Sequence, residues 1–457
     1  MKLLGVKAME LASTIRSCIE DYIKGNGYKL QQFATICGIN VGTLSAIING
    51  SRLIAVNQLD KITSSMGLNK GHFYEMYSIE CFIESTPHWR RIEPFLYQCA
   101  ELNKLDCIKK VIISVTDDRA YIEELFEVAE DLYNKGMKQA ALILYECVAE
   151  CEKYQHSERL ALCQYRIFLI NIGHDQKVNR LLISKLEPFI ERLDEDYQLD
   201  AIKDLANAYW GLHEWDSMRD LACQLEKKSD IAMRQNKKRI SETQYPLYVY
   251  KTYSNLLIAN YHDYSENYKE ALRYTDLYEG ILEDFGDHNN LIDRKIRDWA
   301  KVNKYLYQVM MGVREIIPEY ITCIEKDEAE ILPALVKVFQ SANRHQYDVD
   351  DLLIKFEKEI STQFSDAYLR GGYTEQSWYY RRVVLFYEIA VYYFKRHRHE
   401  SGAKSLLISL ELSIFVKDDA ATLKCINLYG EFKSHLSKET ESRYKALTSL
   451  LHQNASL

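Results

Sequence analysis

Residues 29–68 read KLQQFATICGINVGTLSAIINGSRLIAVNQLDKITSSMGL, and this stretch determines how the N-terminal part of the chain folds. Gly38 interrupts a first helical segment, and Asn40 offers the side-chain oxygen that a second helix needs as an N-cap. Gly50 allows the chain to reverse after that second helix. The pattern predicts two short helices separated by a tight turn, the second starting near Val41.

The apolar residues of this stretch recur at the spacing of a helix face. Crossed helices with such faces bury them against one another, and a preceding helix adds a third apolar face. The expected core consists of Phe33, Ala34, Ile39, Leu44, Ile47, Leu59, Ile62 and Met66, with Leu11, Ile15, Ile19 and Ile23 from the preceding helix.

This helix pair resembles the DNA-binding domain of the Cro and phage-repressor type over about forty residues without a gap. The resemblance implies a second helix that lies in the major groove of DNA. The matching features, in order, are Phe33-Ala34, Gly38-Ile39, Thr43-Leu44-Ser45, Asn49-Gly50, Arg52, Leu59, Ile62 and Gly67.

The start of the second helix departs from that family. Recognition helices often begin with Gln, Arg or Lys, which hydrogen-bond base edges, whereas here the positions are Val41, Gly42 and Ala46. A helical bundle that keeps the fold without binding DNA is therefore the alternative. Phosphate and thymine-methyl contacts remain available. The expected DNA-binding residues are Lys29, Gln31, Gln32, Asn40, Val41, Gly42, Thr43, Ser45, Ala46, Asn49 and Arg52.

Charge is distributed unevenly along the chain. Residues 1–80 contain eight Lys and Arg and six Asp and Glu, a net charge of +2, which leaves −10 for the rest of the chain. A positive segment on an acidic body suits a DNA-binding module, because its affinity for the backbone comes from neutralised phosphates. Since +2 is modest for one copy, we expect a homodimer that contacts two half-sites of an operator.

The composition predicts an all-α protein. The 457 residues include only six prolines and eighteen glycines, and no proline lies between Pro94 and Pro188. Sheets joined by tight turns would need more of both residues, whereas long helices need few. The chain is also far too long for a single helix-turn-helix domain.

Several classes of protein are disfavoured by what the sequence lacks. It has no apolar run long enough for a membrane helix and no secretion signal, so we expect a cytoplasmic protein. Eleven scattered cysteines, with Cys147 and Cys151 as the one pair on a helix face, favour reduced buried thiols over a zinc site.

Hydrolase, dinucleotide and phosphate-loop motifs are missing, so we expect neither enzymatic activity nor a cofactor. His397 and His399 lie in KRHRHES, interpreted as a solvated basic turn because neighbouring residues of a regular helix diverge.

Beyond residue 120 the sequence contains recurring helix pairs with the spacing of tetratricopeptide repeats. Small residues recur where two antiparallel helices approach, and bulky residues fill the gaps. We expect about eight or nine stacked hairpins that curve into a right-handed superhelix with a concave inner face. The clearest blocks contain Ala129 and Ala141, then Ala206 and Ala222, then Ala259 and Ala271, with a fainter one around Ala403.

The concave face of such an array is a candidate peptide groove. Placing Ala206 and Ala259 at the small eighth position of the repeat puts Asn207 and Asn260 at the ninth, which projects inward. An asparagine amide donates and accepts together, so it can bond the backbone of an extended peptide. The other expected groove residues are Asn134, Trp210, Asp263, Tyr264, Asn303, Tyr392 and Lys395, with Glu130 and Tyr133 nearby; for Asn303 a solvated helix residue is the alternative.

A Cro-like module followed by a connector and a tetratricopeptide array resembles the RRNPP family of peptide-sensing regulators, and its architecture is similar to that of arbitrium receptors. Connector segments such as HFYEMYSIECF strengthen the resemblance. It implies a quorum-sensing transcriptional regulator whose DNA affinity changes when a short signalling peptide binds. The corresponding domains are residues 1–72 for DNA binding, 73–120 as a helical connector and 121–457 for peptide binding and dimerisation.

Two other functions suit the same architecture. One is the phosphatase-like branch of the family, which acts on a response regulator. The other is a scaffold that binds the tail of a protein partner through the groove and does not bind DNA.

Overall fold

The computed structural model describes residues 14–83, 88–115, 121–155, 157–173, 175–235, 243–287, 290–361 and 375–454. All regular secondary structure in these ranges is helical, which confirms the all-α class. Of the expected core residues, Leu11 lies outside the described residues. The chain divides into two compact units, Met1–Leu212 and His213–Leu457. Among the described helices, none combines the length and the apolar character needed to cross a membrane.

The first four helices form the N-terminal part of the first unit. Their bounds agree with the predicted turn, since the second helix ends at Cys37 and the third begins at Val41. These helices are α1 Ile15–Gly25, α2 Leu30–Cys37, α3 Val41–Ile48 and α4 Val56–Ser65.

The apolar faces of α1 to α4 meet in the expected core. Most of the predicted core residues have no exposed surface, and Ile23, Ile39 and Met66 pack against them while partly exposed. Replacing one fully buried leucine of this kind by alanine costs about 2–5 kcal/mol, because transfer energy is lost and a cavity remains. The fully buried members are Ile15, Ile19, Phe33, Ala34, Leu44, Ile47, Leu59 and Ile62.

The fifth helix ties this core to the rest of the first unit. The backbone N–H of Ile15 donates to Oε1 of Glu80 at 2.8 Å, and the hydroxyl of Tyr77 donates to the carbonyl oxygen of Ile54 at 2.7 Å. A continuous cluster of buried apolar side chains extends from Ile15 to Cys163. The remaining helices of the unit are α5 Tyr74–Phe82, α6 Trp89–Glu101, α7 Leu105–Val115, α8 Ile122–Asn134, α9 Lys138–Cys151, α10 Glu158–Asn171, α11 Gln176–Leu186 and α12 Glu195–Gly211.

The second unit is also built of helices, several of which pack against the next helix along the chain. Its helices are α13 Trp215–Arg234, α14 Leu247–Tyr264, α15 Tyr268–Phe285, α16 Leu291–Met310, α17 Ile317–Ile324, α18 Glu328–His345, α19 Asp350–Lys355, α20 Glu357–Ser361, α21 Glu375–Lys395, α22 His399–Phe415, α23 Asp419–Phe432 and α24 Lys438–Asn454.

Small residues allow neighbouring helices of each unit to approach closely, as the repeat pattern predicted. Helices α8 and α9 pack on each other in the first unit, as do α14 with α15 and α21 with α22 in the second. The alanines of the repeat pattern have no exposed surface: Ala129, Ala141, Ala206, Ala222, Ala259, Ala271 and Ala403. A methyl group in place of a larger side chain is what permits this spacing.

Candidate functional site

The turn between α2 and α3 is built by three residues with separate roles. Gly38 has φ 63°, a left-handed conformation that ends α2 at little cost for glycine. The side-chain oxygen of Asn40 accepts from the N–H groups of Gly42 at 2.8 Å and Thr43 at 3.4 Å, which satisfies the first turn of α3. Gly50 has φ 83° and reverses the chain after α3. These contacts fix the angle at which α3 leaves the core.

The start of α3 lies at the surface. Val41 is 37% exposed, and Gly42 is also exposed, while Leu44 and Ile47 on the opposite side of the helix are buried. None of the eleven residues expected to contact DNA is buried. The exposed members are Lys29, Gln31, Gln32, Asn40, Val41, Gly42, Asn49 and Arg52, and the partly exposed members are Thr43, Ser45 and Ala46.

Three amide side chains of this surface also hold its backbone. Besides Asn40, the side-chain oxygen of Gln32 accepts from the N–H of Lys29 at 2.9 Å, and that of Asn49 accepts from the N–H of Ser51 at 3.1 Å. Within the described ranges the NH₂ groups of these three amides donate to no acceptor, and such donors can bond phosphate or base oxygens. The hydroxyls of Thr43 and Ser45 have no hydrogen-bond partner in the described part of the chain.

Arg16 is a basic residue of this surface that the sequence did not reveal. A Cβ added at Gly50 would lie 2.7 Å from Nη1 of Arg16, so the guanidinium rests against the α3–α4 turn. It is thereby close in space to Gly50, the neighbour of Asn49 in the expected DNA-binding set. The only sequence signal is a basic residue in the first turn of the helix before the motif, and such residues are too common in surface helices to identify this contact.

In the first unit, Glu130, which was expected near the groove, forms an ion pair with Arg166. Nε and Nη2 of Arg166 donate to the two carboxylate oxygens of Glu130 at 3.0 and 2.8 Å, and the guanidinium lies 4.6 Å from the ring centre of Tyr133. The hydroxyl of Tyr145 donates to the same carboxylate. Glu130 is therefore neutralised within the fold.

The three expected groove residues of the first unit are placed differently from one another. Asn134 is the exposed last residue of α8, while Asn207 is partly exposed on α12 and has an interaction partner. Trp210 follows Asn207 on α12 and is 48% exposed, a large fraction for an indole ring.

In the second unit, Asn260, Asp263 and Tyr264 lie on one face of α14. Asn260 is partly exposed and has no hydrogen-bond partner among the described residues. Asp263 pairs with Lys337 of α18, and Tyr264, 60% exposed, stacks on Trp215 with ring centres 4.6 Å apart. These side chains together offer an amide, an ion pair and an aromatic surface.

Asn303 and Tyr392 are held inside the second unit. Nδ2 of Asn303 donates to the hydroxyl of Tyr278 at 3.2 Å, so this amide joins α16 to α15. Tyr392 was expected in the groove, but it has no exposed surface. Its hydroxyl accepts from the N–H of Val349 at 3.0 Å and donates to Asp350 at 2.9 Å, and burial raises its pKa to about 12. In this arrangement Tyr392 is a core residue that joins two helices.

Lys395 is exposed at the end of α21. Its Nζ donates to the carbonyl oxygen of Asn343 at 2.7 Å, which caps the end of α18 and leaves two ammonium protons available.

The KRHRHES segment, interpreted from the sequence as a solvated basic turn, contains the turn between α21 and α22, and His399 is the first residue of α22. His397 has φ 57° and forms the turn between α21 and α22, and the rings of His397 and His399 come within 6.0 Å. His399 in turn stacks on His435 at 4.7 Å. In the described residues, no three His, Cys, Asp or Glu side chains are grouped so that they could hold a metal ion.

Comparison with known proteins finds similarity to solved structures only. No protein-family model matches the sequence, and no curated protein matches it. Among the solved structures that match is the crystal structure of Bacillus thuringiensis PlcR in complex with the peptide PapR7 and DNA. The identity is 15%, the match covers 77% of this chain and 100% of the PlcR chain, and the TM-score is 0.24. A TM-score this low does not show that the two chains share an arrangement of helices. The peptide and DNA in that complex are therefore properties of PlcR alone.

Proposed function

We propose that the chain is a DNA-binding transcriptional regulator of the RRNPP kind, controlled by a short signalling peptide, and that it acts as a cytoplasmic homodimer without enzymatic activity. The observation that carries the proposal is the exposed N-terminal end of α3. Its opposite side is buried in the core of α1 to α4, so the helix is held rigidly with its outer face available for a DNA groove.

The polar residues around α3 favour contact with the DNA backbone over reading of bases. The hydroxyls of Thr43 and Ser45 have no partner among the residues that the structure describes, and Lys29, Arg16 and Arg52 supply the positive charge. Such contacts give affinity and register but little sequence discrimination. We therefore propose that specificity comes from two modules whose half-sites must lie one or more DNA turns apart, about 34 Å per turn.

For the peptide, the proposed binding surface is the α14 face with Asn260, Asp263 and Tyr264. An unpaired amide can bond the backbone of an extended peptide, and the exposed ring of Tyr264 can pack on one of its side chains. For the first unit taken by itself, Asn207 and Trp210 of α12 are proposed as peptide contacts. We propose three domains with the boundaries expected from the sequence. Residues 1–72 bind DNA, residues 73–120 form a helical connector, and residues 121–457 bind the peptide and form the dimer.

Control by the peptide follows from linkage. If the peptide binds one curvature of the helical array more tightly than another, it shifts the equilibrium by the ratio of those affinities and by no more. A change in curvature alters the spacing of the two α3 helices in the dimer. Whether bound peptide favours or disfavours the DNA-binding arrangement depends on which curvature it prefers.

The test is the affinity of the purified full-length chain for promoter DNA recovered from genomic fragments, measured over a range of salt concentrations with and without co-purified peptide. A DNA-binding regulator gives an affinity that falls steeply with salt, because phosphate contacts release counterions. Arg52→Gln should reduce this slope, whereas Lys269→Gln, the same charge change on an exposed residue of α15, should not. A slope near zero, with no promoter enriched, would refute the proposal.

A second function is favoured by one observation, the apolar and exposed position of Val41 at the start of α3. An apolar end with a neighbouring glycine suits a protein surface better than base edges. A phosphatase-like or scaffold protein that binds a response regulator or another protein would use α3 in this way. The same salt series separates the two, since such a protein retains peptide binding and shows no DNA binding.

A further inference from the structure

A cleft in the second unit lies between α21 and α23. Its volume is about 330 Å³, at the lower end of the range for small-molecule sites and enough for one or two amino-acid residues. Its lining includes Phe394, Lys395, Lys424, Asn427 and Phe432.

One wall of the cleft is rigid and aromatic. The rings of Phe394 and Phe432 stack with centres 4.2 Å apart and planes at 2° to each other. Gly402 of α22 allows this position of Phe394, because a Cβ there would lie 2.8 Å from the ring. A wall fixed in this way loses little entropy when an apolar group packs on it.

The lining of the cleft also has charged side chains, and its two lysines lie close enough to the buried carboxyl of Glu388 to lower the pKa that burial raises. These lysines are Lys395 and Lys424, and Glu431 is the acidic residue of the lining. Lys395 uses one ammonium proton for the carbonyl oxygen of Asn343, and Lys424 forms no ion pair with a residue that the structure describes. Two ammonium groups with free donors suit a carboxylate, for which charge-assisted hydrogen bonds are strong.

The side-chain amide of Asn427 favours a peptide over a simple carboxylic acid as the ligand. It is exposed at the cleft and has no hydrogen-bond partner in the described ranges. One amide offers a donor and an acceptor, which matches the C=O and N–H of a peptide group. A simple fatty or aromatic acid has no group that uses both.

We propose that this cleft binds the C-terminal residue of a peptide, with the free carboxylate on Lys395 and Lys424, the last peptide group on Asn427 and an apolar side chain on the aromatic wall. The inference rests on the proposed function, since it places the C-terminal end of the proposed signalling peptide in this cleft. It makes the free C-terminus a requirement for tight binding.

The direct test uses three probes on the full-length chain, with calorimetric titration as the readout. N-acetyl-Leu-Leu with a free carboxylate should bind at least about tenfold more tightly than its C-terminal amide, the loss expected for one charge-assisted hydrogen bond. Hexanoate should bind more weakly than the peptide acid. Equal affinity of acid and amide, equal affinity of peptide acid and hexanoate, or no binding of the peptide acid would overturn the assignment.

Variants localise the binding to the cleft. Lys424→Gln should weaken binding of the peptide acid and leave binding of its amide unchanged. The control is Lys404→Gln at an exposed position of α22, which should change the affinity for neither probe. Asn427→Trp places a ring at the exposed edge of the cleft and should block both probes without altering the core. Binding that is unaffected by Lys424→Gln and Asn427→Trp would place the ligand elsewhere.

The outcome for this cleft is separable from that for the proposed function. If a native peptide regulates DNA binding equally well with a free C-terminal carboxylate and with a C-terminal amide, the proposed role of the cleft is refuted. The proposal that the chain is a regulator would still hold. Carboxylate-dependent binding of N-acetyl-Leu-Leu by a chain that binds no DNA would support the cleft and refute the regulator.

Discussion

Asp263 and Lys337 form a symmetric ion pair, with Nζ of the lysine 3.1 Å from each carboxylate oxygen. The pair joins α14 to α18 across 74 residues of sequence, although these helices have little direct backbone packing. Arg344, two helical turns beyond Lys337, makes a second such link to Glu266 at 2.7 Å. The end of α14 is thus connected to α18 mainly through long charged side chains.

Breaking this ion pair should have only a small effect on stability. The two side chains are 22% and 30% exposed, and pairs near the surface contribute at most about 1 kcal/mol. We expect Asp263→Asn and Lys337→Gln each to lower the free energy of unfolding by about 1 kcal/mol or less. The measurement is urea denaturation, repeated at high salt, where the difference from the parent chain should shrink.

The double variant provides the control for that experiment. Asp263→Lys with Lys337→Asp exchanges the charges and should recover stability lost in either single reversal. If the double variant is as unstable as the sum of the single ones, the two side chains do not interact in solution.

The N-terminal helix pair was predictable because its signals are local. Asn40 caps α3 through N–H groups two and three residues away, and the conformation of Gly38 is a property of a single residue. The periodicity of apolar side chains then defines the buried face without knowledge of distant partners. For these reasons the bounds of α2 and α3 and nearly all of the core agree with the structure.

The candidate peptide residues were less predictable because their roles depend on distant partners. Tyr392 lies on a helix whose pattern permits either an inner or a core position, and its hydroxyl is bound by Val349 and Asp350, more than forty residues earlier. Likewise the partner of Asp263 is far away in sequence. Helical spacing gives the face of a residue but not what covers that face.

Asn40 allows folding and DNA binding to be tested separately. Asn40→Ala removes the acceptor for the first turn of α3 and should lower the free energy of unfolding by about 0.5–2 kcal/mol. Asn40→Asp keeps a capping oxygen, and its negative charge is favourable at a helix N-terminus. It should therefore keep the stability of the parent chain, measured by thermal denaturation.

The same aspartate should impair DNA binding. A negative charge at the exposed start of α3 would face the phosphates, so Asn40→Asp should weaken affinity in a salt-dependent way. Unchanged DNA affinity in a stably folded Asn40→Asp variant would mean that this end of α3 is not close to DNA.

Glu388 should make stability depend on pH. Burial is the main cause of its raised pKa, which the hydrogen bond from the Asn343 side chain and the nearby lysines lower only in part. Because the folded-state pKa lies above the ordinary value of about 4.3, the folded chain holds this proton more tightly than the unfolded chain. The stabilising contribution is full below the ordinary value and is lost as pH rises through the folded-state pKa.

Glu388→Gln isolates that contribution. Glutamine keeps an oxygen for Nδ2 of Asn343 and has no charge to bury. We expect the variant to gain stability relative to the parent chain as pH rises from 4 to 8, measured by urea denaturation at each pH. A difference that does not change with pH would show that Glu388 has the same pKa in both states.

Asn260 and Asn303 form a matched pair for testing the peptide surface. Asn260 has no hydrogen-bond partner among the described residues, so Asn260→Ala should change the free energy of unfolding by no more than about 0.5 kcal/mol. Asn260→Ala should nevertheless lower the affinity for the co-purified peptide about tenfold. The reason is that a peptide group of the ligand loses the side-chain amide that both donates to it and accepts from it. Asn303→Ala removes the bond to Tyr278 and should cost about 1 kcal/mol of stability with little effect on peptide affinity. Calorimetric titration and urea denaturation of both variants check the contrast, and a peptide affinity unchanged by Asn260→Ala would exclude this face of α14 as the binding surface.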